Sequence, residues 1–307
     1  MSALRVALGE YLATRRALGF KLVRAGKLLP GFVNHVEQSG SAVVTRSLAV
    51  AWATQPHDVH PAWWAHRLVL VRGFAKHLQA SEPRHEVPPL ELLPHRRSRA
   101  VPYIYTPAEI AALLAAATTL RLPLMAATYG TFLGLLAVTG LRTGEAIALD
   151  DSDVDRRRGV LVIRRTKFGK TREVPLHPTT TQALAQYARD RDRLAFRRRT
   201  RSFFVSTART RLIYQNVHET FLGLVYAAGI AERRPRRPRI HDLRHTFAVR
   251  TVLGWYRAGV DVEAKLPTLS TYLGHIGPSS TYWYLTAVPE LLEAATVRLE
   301  RAWGARS

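Results

Sequence analysis

The chain has 307 residues, of which 47% are hydrophobic and 22% are charged, a composition typical of globular proteins and not of disordered ones. Lysine and arginine number 45 against 23 acidic residues, a formal charge of +22, which favours a polyanion such as nucleic acid as partner. The chain has no cysteine, which excludes disulfides, thiolate zinc sites and cysteine nucleophiles.

The first eighty residues show the periodicity of helices. Apolar residues recur there at the three- and four-residue spacing of an amphipathic helix. Breaks at Gly19, at 39–41 and at 55–61 divide the segment into about four helices. Residues 81–102 are rich in proline and arginine and lack periodicity, which predicts a linker. We therefore expect a helical domain over 1–80 and a second domain over 103–307.

The second domain opens with Thr106-Pro107-Ala108-Glu109, a capping box with proline at the first helical position, which predicts a helix to about 118. A buried helix is predicted over 122–139, ending at Gly140. After residue 150 the apolar period changes to two, and the runs 159–165 and 172–176 predict a hairpin with Gly169 in its turn. Further helices are predicted over 178–197, 213–229, 242–257, 262–274 and 288–302. The fold class is therefore mainly α with a small antiparallel β-sheet, an α+β arrangement.

Arg142 is the first residue whose position suggests chemistry. It follows the end of the buried helix and begins a short apolar helix, where its guanidinium and backbone N–H groups could face a phosphate. A single arginine at such a place is more often a surface residue. Glu145, three residues later, could hold Arg142 in place or could form an ordinary pair on the helix face.

Lys167 and Lys170 lie in the predicted hairpin turn, where a lysine projects away from its own scaffold. Most lysines at hairpin tips are only solvated, and this is our interpretation of Lys170. Lys167 is the better candidate for a directed role.

The segment "IHDLRHTFAV", 240–249, places His241, Arg244 and His245 on one helix face. An H-x-x-x-H pair can bind zinc, but the metalloprotease version has a glutamate where Asp242 stands here, and an arginine between the histidines repels a cation. A phosphate therefore suits Arg244 better than a metal does.

A Leu-Gly-His element at 273–275 marks a helix end and is followed by an aromatic group. His275 closes this element, and Tyr282, Trp283 and Tyr284 follow within a short predicted helix. Aromatic clusters are more often part of a core than of an active site, so this segment alone leaves both interpretations open.

Taken in order, these motifs resemble the catalytic domain of the tyrosine recombinases, the phage integrase family. The pattern is an arginine, a hairpin lysine, a His-x-x-Arg pair, a Leu-Gly-His element and a tyrosine nine residues after its histidine, over 103–287. The resemblance implies these catalytic residues: Arg142, Lys167, His241, Arg244, His275 and Tyr284. Tyr282 is the local alternative to Tyr284, because Leu285-Thr286 departs from what usually follows the nucleophile. The helical N-terminal region is similar in kind to the family's DNA-binding core-binding domain.

The resemblance implies a DNA strand transferase that forms a 3′-phosphotyrosyl intermediate. Arg142 and Arg244 would grip the phosphate oxygens bidentately, since guanidiniums keep their protons. The two histidines would donate hydrogen bonds, His241 would also accept the tyrosine proton, and Lys167 would protonate the leaving 5′-oxygen. Because the phosphotyrosyl bond conserves the energy of the phosphodiester, rejoining needs no ATP, cofactor or metal. The sequence also lacks a GxxxxGK[ST] phosphate loop.

The remaining arginines form three groups that we assign to the DNA backbone, although charge runs are usually solvated faces. Those of the linker would follow the duplex between the two domains, as a clamp, and the last group leads directly into His241. The predicted DNA-binding residues are Arg96, Arg97, Arg99, Arg197, Arg198, Arg199, Arg201, Arg233, Arg234, Arg236, Arg237 and Arg239.

The function expected is site-specific recombination through a Holliday junction, for integration, excision or transposition of a mobile element. A type IB topoisomerase-like enzyme and a catalytically idle DNA-binding regulator on the same scaffold are the alternatives. The expected partners are double-stranded DNA and further copies of the chain, as a tetramer on synapsed DNA, with other recombinases or accessory proteins as additional candidates. The apolar spacing of 288–303 suits packing on a neighbouring protomer or closure of its own core.

We expect the protein in the cytoplasm, associated with the nucleoid and without a membrane partner. No apolar run approaches the ~20 residues of a membrane-spanning helix, and the N-terminus lacks a signal-peptide pattern.

Overall fold

A computed structural model describes residues 2–93, 101–164, 171–230, 237–275 and 282. The chain divides into two compact units, Met1–Ala100 and Val101–Ser307. Among the described residues, no helix has both the length and the apolar character needed to cross a bilayer.

Residues 2–93 of the N-terminal unit contain four helices: α1 (Ala3–Ala17), α2 (Val23–Gln38), α3 (Arg46–Thr54) and α4 (Pro61–Gln79). The breaks predicted at Gly19, 39–41 and 55–61 separate them. The core of this unit contains the fully buried rings of Phe32 and Phe74. Phe32 meets Trp52 edge to face at 5.3 Å, a preferred arrangement of two aromatic rings.

The C-terminal unit is mainly helical, with a small sheet. Its elements are α5 (Pro107–Thr118), α6 (Pro123–Thr139), α7 (Thr143–Ala148), β1 (Val154–Asp155), β2 (Val160–Ile163), β3 (Arg172–Pro175), α8 (Pro178–Leu194), α9 (Tyr214–Ala227), α10 (Asp242–Arg257) and α11 (Val262–Leu273). The predicted α+β class is confirmed. The helix predicted over 288–302 lies outside the described residues.

The capping box predicted for α5 is present. The Thr106 hydroxyl accepts a hydrogen bond from the Glu109 N–H at 3.1 Å, and the Glu109 carboxylate accepts one from the Thr106 N–H at 2.7 Å. These two bonds satisfy amide groups that the first turn of a helix otherwise leaves without partners.

The sheet is antiparallel in the order β1-β2-β3. β2 and β3 pair from Val160 opposite Pro175 to Ile163 opposite Arg172, so Arg172 lies at the end of the ladder nearest the predicted turn. β1 was not predicted, because a strand of two residues is too short to show periodicity.

Helix α8 ends at Leu194, before the basic segment 197–201, whereas the predicted helix extends to 197. That extension was wrong. Ala195 leaves the helical region with φ −113° and ψ 41°, and its side chain is buried. Arg197 then takes a left-handed φ of 61°, so this basic segment follows the helix as a turn.

Helix α6 crosses the centre of the C-terminal core, where Phe132 packs edge to face on Phe204 at 5.1 Å. α6 ends at Gly140 and α11 ends at Gly274, and both glycines have a left-handed φ, of 62° and 67°. The site described next is built around these two helix ends.

Candidate active site

Arg142 lies two residues after Gly140, which caps the C-terminus of α6, and immediately before α7. Its Nη1 donates to Glu145 Oε1 at 2.7 Å, and its Nη2 donates to the Gly274 carbonyl at 2.9 Å. About a third of the side chain, 32%, stays exposed. Glu145 also accepts the Arg142 backbone N–H at 3.0 Å, so the first turn of α7 is capped by a carboxylate. The contact considered in the sequence analysis, in which Glu145 holds Arg142, is present.

Arg244 is carried by the first turns of α10 and is buried. Its Nη1 donates to the Gly140 carbonyl at 2.8 Å, and its Nη2 donates to the Leu273 carbonyl at 2.6 Å. The last carbonyls of a helix have no partner within the helix and carry partial negative charge. Arg244 therefore joins the C-terminal ends of α6 and α11, and the two helix ends fix the plane of its guanidinium.

Gly140 is required at this junction for two reasons. Its φ is one that other L-residues rarely adopt. A Cβ atom placed there would lie 2.5 Å from Cδ1 of Phe247 and 3.2 Å from Cδ2 of Leu273. The Phe247 ring stacks on Tyr272 with ring centroids 5.6 Å apart, so moving it away from an added Cβ would disturb this contact.

Glu145 receives a second guanidinium, which the sequence analysis missed. Arg172 Nη2 donates to Oε2 at 2.8 Å and Nη1 donates to Oε1 at 3.1 Å, a bidentate ion pair. Burial by itself would raise the pKa of Glu145, but the hydrogen bonds and charges of Arg172 and Arg142 outweigh it and hold the pKa at about 2. Glu145 is therefore ionised throughout the physiological range.

His241 immediately precedes α10 and is an exposed residue of the domain. The surrounding protein displaces much of the water that would hydrate a charged ring, and Arg244 repels a second positive charge, so the pKa of His241 falls to about 4. The charges of Arg239 and Arg142 lower this pKa further, and Asp242 offsets part of the shift. His245 contacts it edge to face, with ring centroids 4.8 Å apart. At neutral pH His241 is therefore an uncharged imidazole able to accept a proton.

Asp242, which stands where a metalloprotease helix has its glutamate, has a structural role. Its buried carboxylate accepts three hydrogen bonds from Arg239, from the backbone N at 2.9 Å, from Nε at 3.2 Å and from Nη2 at 2.9 Å. These bonds fix the start of α10 and raise the pKa of Arg239. Among the described residues, no group of three His, Cys, Asp or Glu side chains is arranged to hold a metal.

His275 follows Gly274 directly, and its backbone N–H donates to the Ser270 carbonyl at 2.9 Å. The turn at 273–275 therefore supplies carbonyls to Arg244 and Arg142 and then carries His275. Four of the six predicted catalytic residues thus lie around one pair of helix ends: Arg142, His241, Arg244 and His275. Lys167 and Tyr284 lie outside the described residues, whereas Tyr282 is described and exposed.

The predicted DNA-binding arginines differ in their surroundings. Arg198 is half-buried and forms ion pairs with Asp151 and Asp192, which ties the basic turn to the domain. Four others are exposed: Arg197, Arg199, Arg201 and Arg237. Arg239 is exposed in its side chain while bound to Asp242. The remaining predicted positions lie outside the described residues: Arg96, Arg97, Arg99, Arg233, Arg234 and Arg236.

Comparison with known sequences identifies relatives over the whole chain. Residues 104–290 match the sequence model of the phage integrase family. A protein of Sinorhizobium fredii named as an integrase/recombinase, y4rB, is 43% identical over 314 positions, covering 100% of both chains. Tyrosine recombinase XerD of Xanthomonas campestris pv. campestris is 31% identical over 260 residues, covering 80% of this chain and 74% of XerD.

Solved structures with the same fold include recombinases bound to DNA. The Tn1549 transposon integrase in complex with transposon right end DNA has a TM-score of 0.66 at 18% identity, covering 96% of this chain and 98% of that one. The XerH site-specific recombinase in a post-cleavage complex with palindromic difH substrate has a TM-score of 0.63 at 18% identity, covering 84% and 73%. At these identities the likeness establishes the fold.

Proposed function

This chain belongs to the phage integrase family, and we propose that it is a site-specific DNA recombinase that cleaves and rejoins DNA through a 3′-phosphotyrosyl intermediate. The observation that carries the proposal is the meeting of Arg142 and Arg244 beside a neutral His241 at the ends of α6 and α11. Such a cluster of fixed donors suits one phosphodiester group.

The two guanidiniums would stabilise the transition state. Attack on a phosphodiester builds negative charge on the non-bridging oxygens of a pentacoordinate phosphorus. Arg142 and Arg244 are held by backbone carbonyls before any substrate arrives, so little reorganisation is required when that charge develops. Their charges do not depend on pH, since a guanidinium stays protonated throughout the physiological range.

The proton transfers complete the reaction. The Tyr284 phenol oxygen attacks the phosphorus, the P–O5′ bond breaks, and a 3′-phosphotyrosyl bond replaces it. The phenol proton passes to the neutral imidazole of His241, and Lys167 gives a proton to the departing 5′-oxygen. Tyr284 and Lys167 enter from the sequence pattern, while His241 is uncharged at neutral pH and can therefore act as acceptor. Rejoining is the reverse reaction with a new 5′-hydroxyl.

The finer partner assignments are part of the same proposal. We assign the exposed arginines of the basic turn after α8, and those before His241, to contacts with DNA phosphates. The helical N-terminal unit would contact the same duplex. Exchange between two sites requires a cleaving protomer for each of four strands, hence a tetramer on two synapsed duplexes.

The proposal is tested with a supercoiled plasmid that carries two copies of the DNA flanking the gene. We expect deletion or inversion of the intervening DNA by the wild-type protein and no product from Arg142→Ala. Relaxation of the plasmid without exchange would instead indicate a topoisomerase-like activity. Tight binding of the flanking DNA without either product would indicate a DNA-binding regulator and refute the proposal.

A further inference from the structure

Arg172 is an enclosed cation beside the site, and the proposed mechanism does not use it. It begins β3, five residues after Lys167 in the chain, and only 12% of its side chain is exposed. Three of its N–H groups have partners: Nη1 and Nη2 bind the Glu145 carboxylate, and Nε donates to the Tyr272 carbonyl at 2.9 Å. These partners come from two separate elements, the first turn of α7 and the end of α11.

We propose that Arg172 is a positioning residue for strand transfer, which orients Arg142 through Glu145 and ties the hairpin strand to the turn that carries His275. The inference rests on the proposed recombinase function, because it concerns the phosphate-binding role of Arg142.

The Glu145 carboxylate is shared between the two arginines. Oε1 accepts from Nη1 of Arg142 and Nη1 of Arg172, while Oε2 accepts from Nη2 of Arg172 and the Arg142 backbone. The two guanidiniums keep this carboxylate ionised, and the ionised carboxylate holds the Arg142 guanidinium in one orientation.

Gly274 provides a second link between Arg172 and Arg142. A Cβ atom at this position would lie 2.7 Å from Arg172 Nη1 and 3.0 Å from its Cζ, so the guanidinium packs directly on the backbone of the turn. The carbonyl of the same Gly274 accepts a hydrogen bond from Arg142 Nη2. Two groups fix the Arg142 guanidinium, the Glu145 carboxylate and the turn at Gly274, and Arg172 contacts both of them.

A purely structural brace and a positioning residue differ in their response to pH. The charged groups that act on the Glu145 carboxylate are Arg142 beside α7 and Arg172 on β3, and Arg172 together with Arg244 on α10 also acts on the Tyr272 phenol on α11. Only 9% of the Glu145 side chain is exposed, and removing Arg172 leaves Arg142 as the arginine bound to it. Burial then raises the pKa of Glu145, and its protonation as the pH falls releases Arg142.

The test compares variants of the full-length protein in single-turnover cleavage, on tiled nicked duplexes from the DNA flanking the gene. In Arg172→Met we expect the cleavage rate to fall by up to about 100-fold with DNA affinity little changed, as when a reacting group is misplaced by about 1 Å. We also expect a new loss of rate as the pH is lowered, which Glu145→Gln in the same variant abolishes.

Two further variants keep the test decisive. Arg172→Lys keeps the charge but loses the bidentate fork, so it should retain the wild-type pH profile with a reduced rate; it also serves if Arg172→Met does not fold. Arg158→Met removes an exposed ion pair to Glu173 on the same sheet, at 3.2 Å, and should cleave as wild type does.

The outcomes separate the two proposals. Absence of cleavage by the wild type on every duplex would count against the recombinase function itself. If the wild type cleaves and Arg172→Met matches it in rate and pH profile, the inference is overturned. A slower Arg172→Met with an unchanged pH profile would also overturn it, because that is the behaviour of a simple brace.

Discussion

Replacing Gly140 by alanine tests whether the end of α6 holds the candidate active site together. The added methyl group must coexist with a left-handed φ of 62° and with the Phe247 ring, whose Cδ1 lies 2.5 Å from the new Cβ. Because the Gly140 carbonyl accepts a hydrogen bond from Arg244, any shift that relieves the overlap also moves that acceptor.

The expected cost has two parts. A non-glycine residue in the left-handed region costs about 1 kcal/mol. Overpacking against the Phe247 ring adds about 1–3 kcal/mol, for a total of about 2–4 kcal/mol. Gly229 provides the matched control, since it has φ 65° in the same unit and an added Cβ there would meet no atom within 4 Å. Gly229→Ala should therefore cost only the first part, about 1 kcal/mol.

The assay is thermal unfolding of the full chain, following the transition of the C-terminal unit, together with single-turnover cleavage. With about 3 °C per kcal/mol for a unit of this size, Gly140→Ala should melt about 3–9 °C below Gly229→Ala. Its cleavage should also be slower than that of the control. Equal melting temperatures, or wild-type cleavage by Gly140→Ala, would refute this account of the junction.

Three other predictions follow from the same structure. The pKa of His241 is about 4 in the folded chain and about 6.5 in the unfolded chain, so the unfolded state binds more protons between these two pH values. The melting temperature should therefore fall as the pH is lowered through this window, and it should fall less steeply in His241→Asn. Arg191→Met removes a buried guanidinium bound to two aspartates and to a backbone carbonyl and should cost about 2–3 kcal/mol in urea unfolding. The exposed Arg193→Met on the same helix should cost less than about 0.5 kcal/mol, and similar costs for the two variants would contradict the structure. Replacing Arg199 and Arg201 together by serine should reduce the slope of log affinity for DNA against log salt by about 2, and an unchanged slope would remove them from the DNA contact.

Local signals in the sequence were sufficient for much of the fold. The Thr106–Glu109 capping box and the glycine that ends α6 are read within a few residues, and both are present. The end of α8 was misjudged because the arginines after Leu194 have good helical propensity, while the burial of Ala195 that turns the chain depends on distant packing.

The contacts of the site could be predicted only where the two residues lie three or four positions apart in the sequence. His241 and Arg244 share one helix face, and Glu145 stands three residues from Arg142, so these contacts have a sequence signature. The contact of Arg172 has no such signature, since its partner Glu145 is 27 residues away. An arginine within a strand pattern is instead expected to face solvent. Every residue has a backbone carbonyl, so the sequence does not indicate that the carbonyl of Gly274 helps to fix the Arg142 guanidinium.

The central claim, a tyrosine-linked intermediate formed at this site, is tested most directly by trapping the covalent adduct. Nicked duplexes from the DNA flanking the gene lose their 5′-hydroxyl fragment after cleavage, so a protein–DNA adduct persists on a denaturing gel. We predict an adduct with the wild type and with Tyr282→Phe and none with Tyr284→Phe. An adduct that survives in Tyr284→Phe, or no adduct with wild-type protein that binds the same duplexes tightly, would contradict the account.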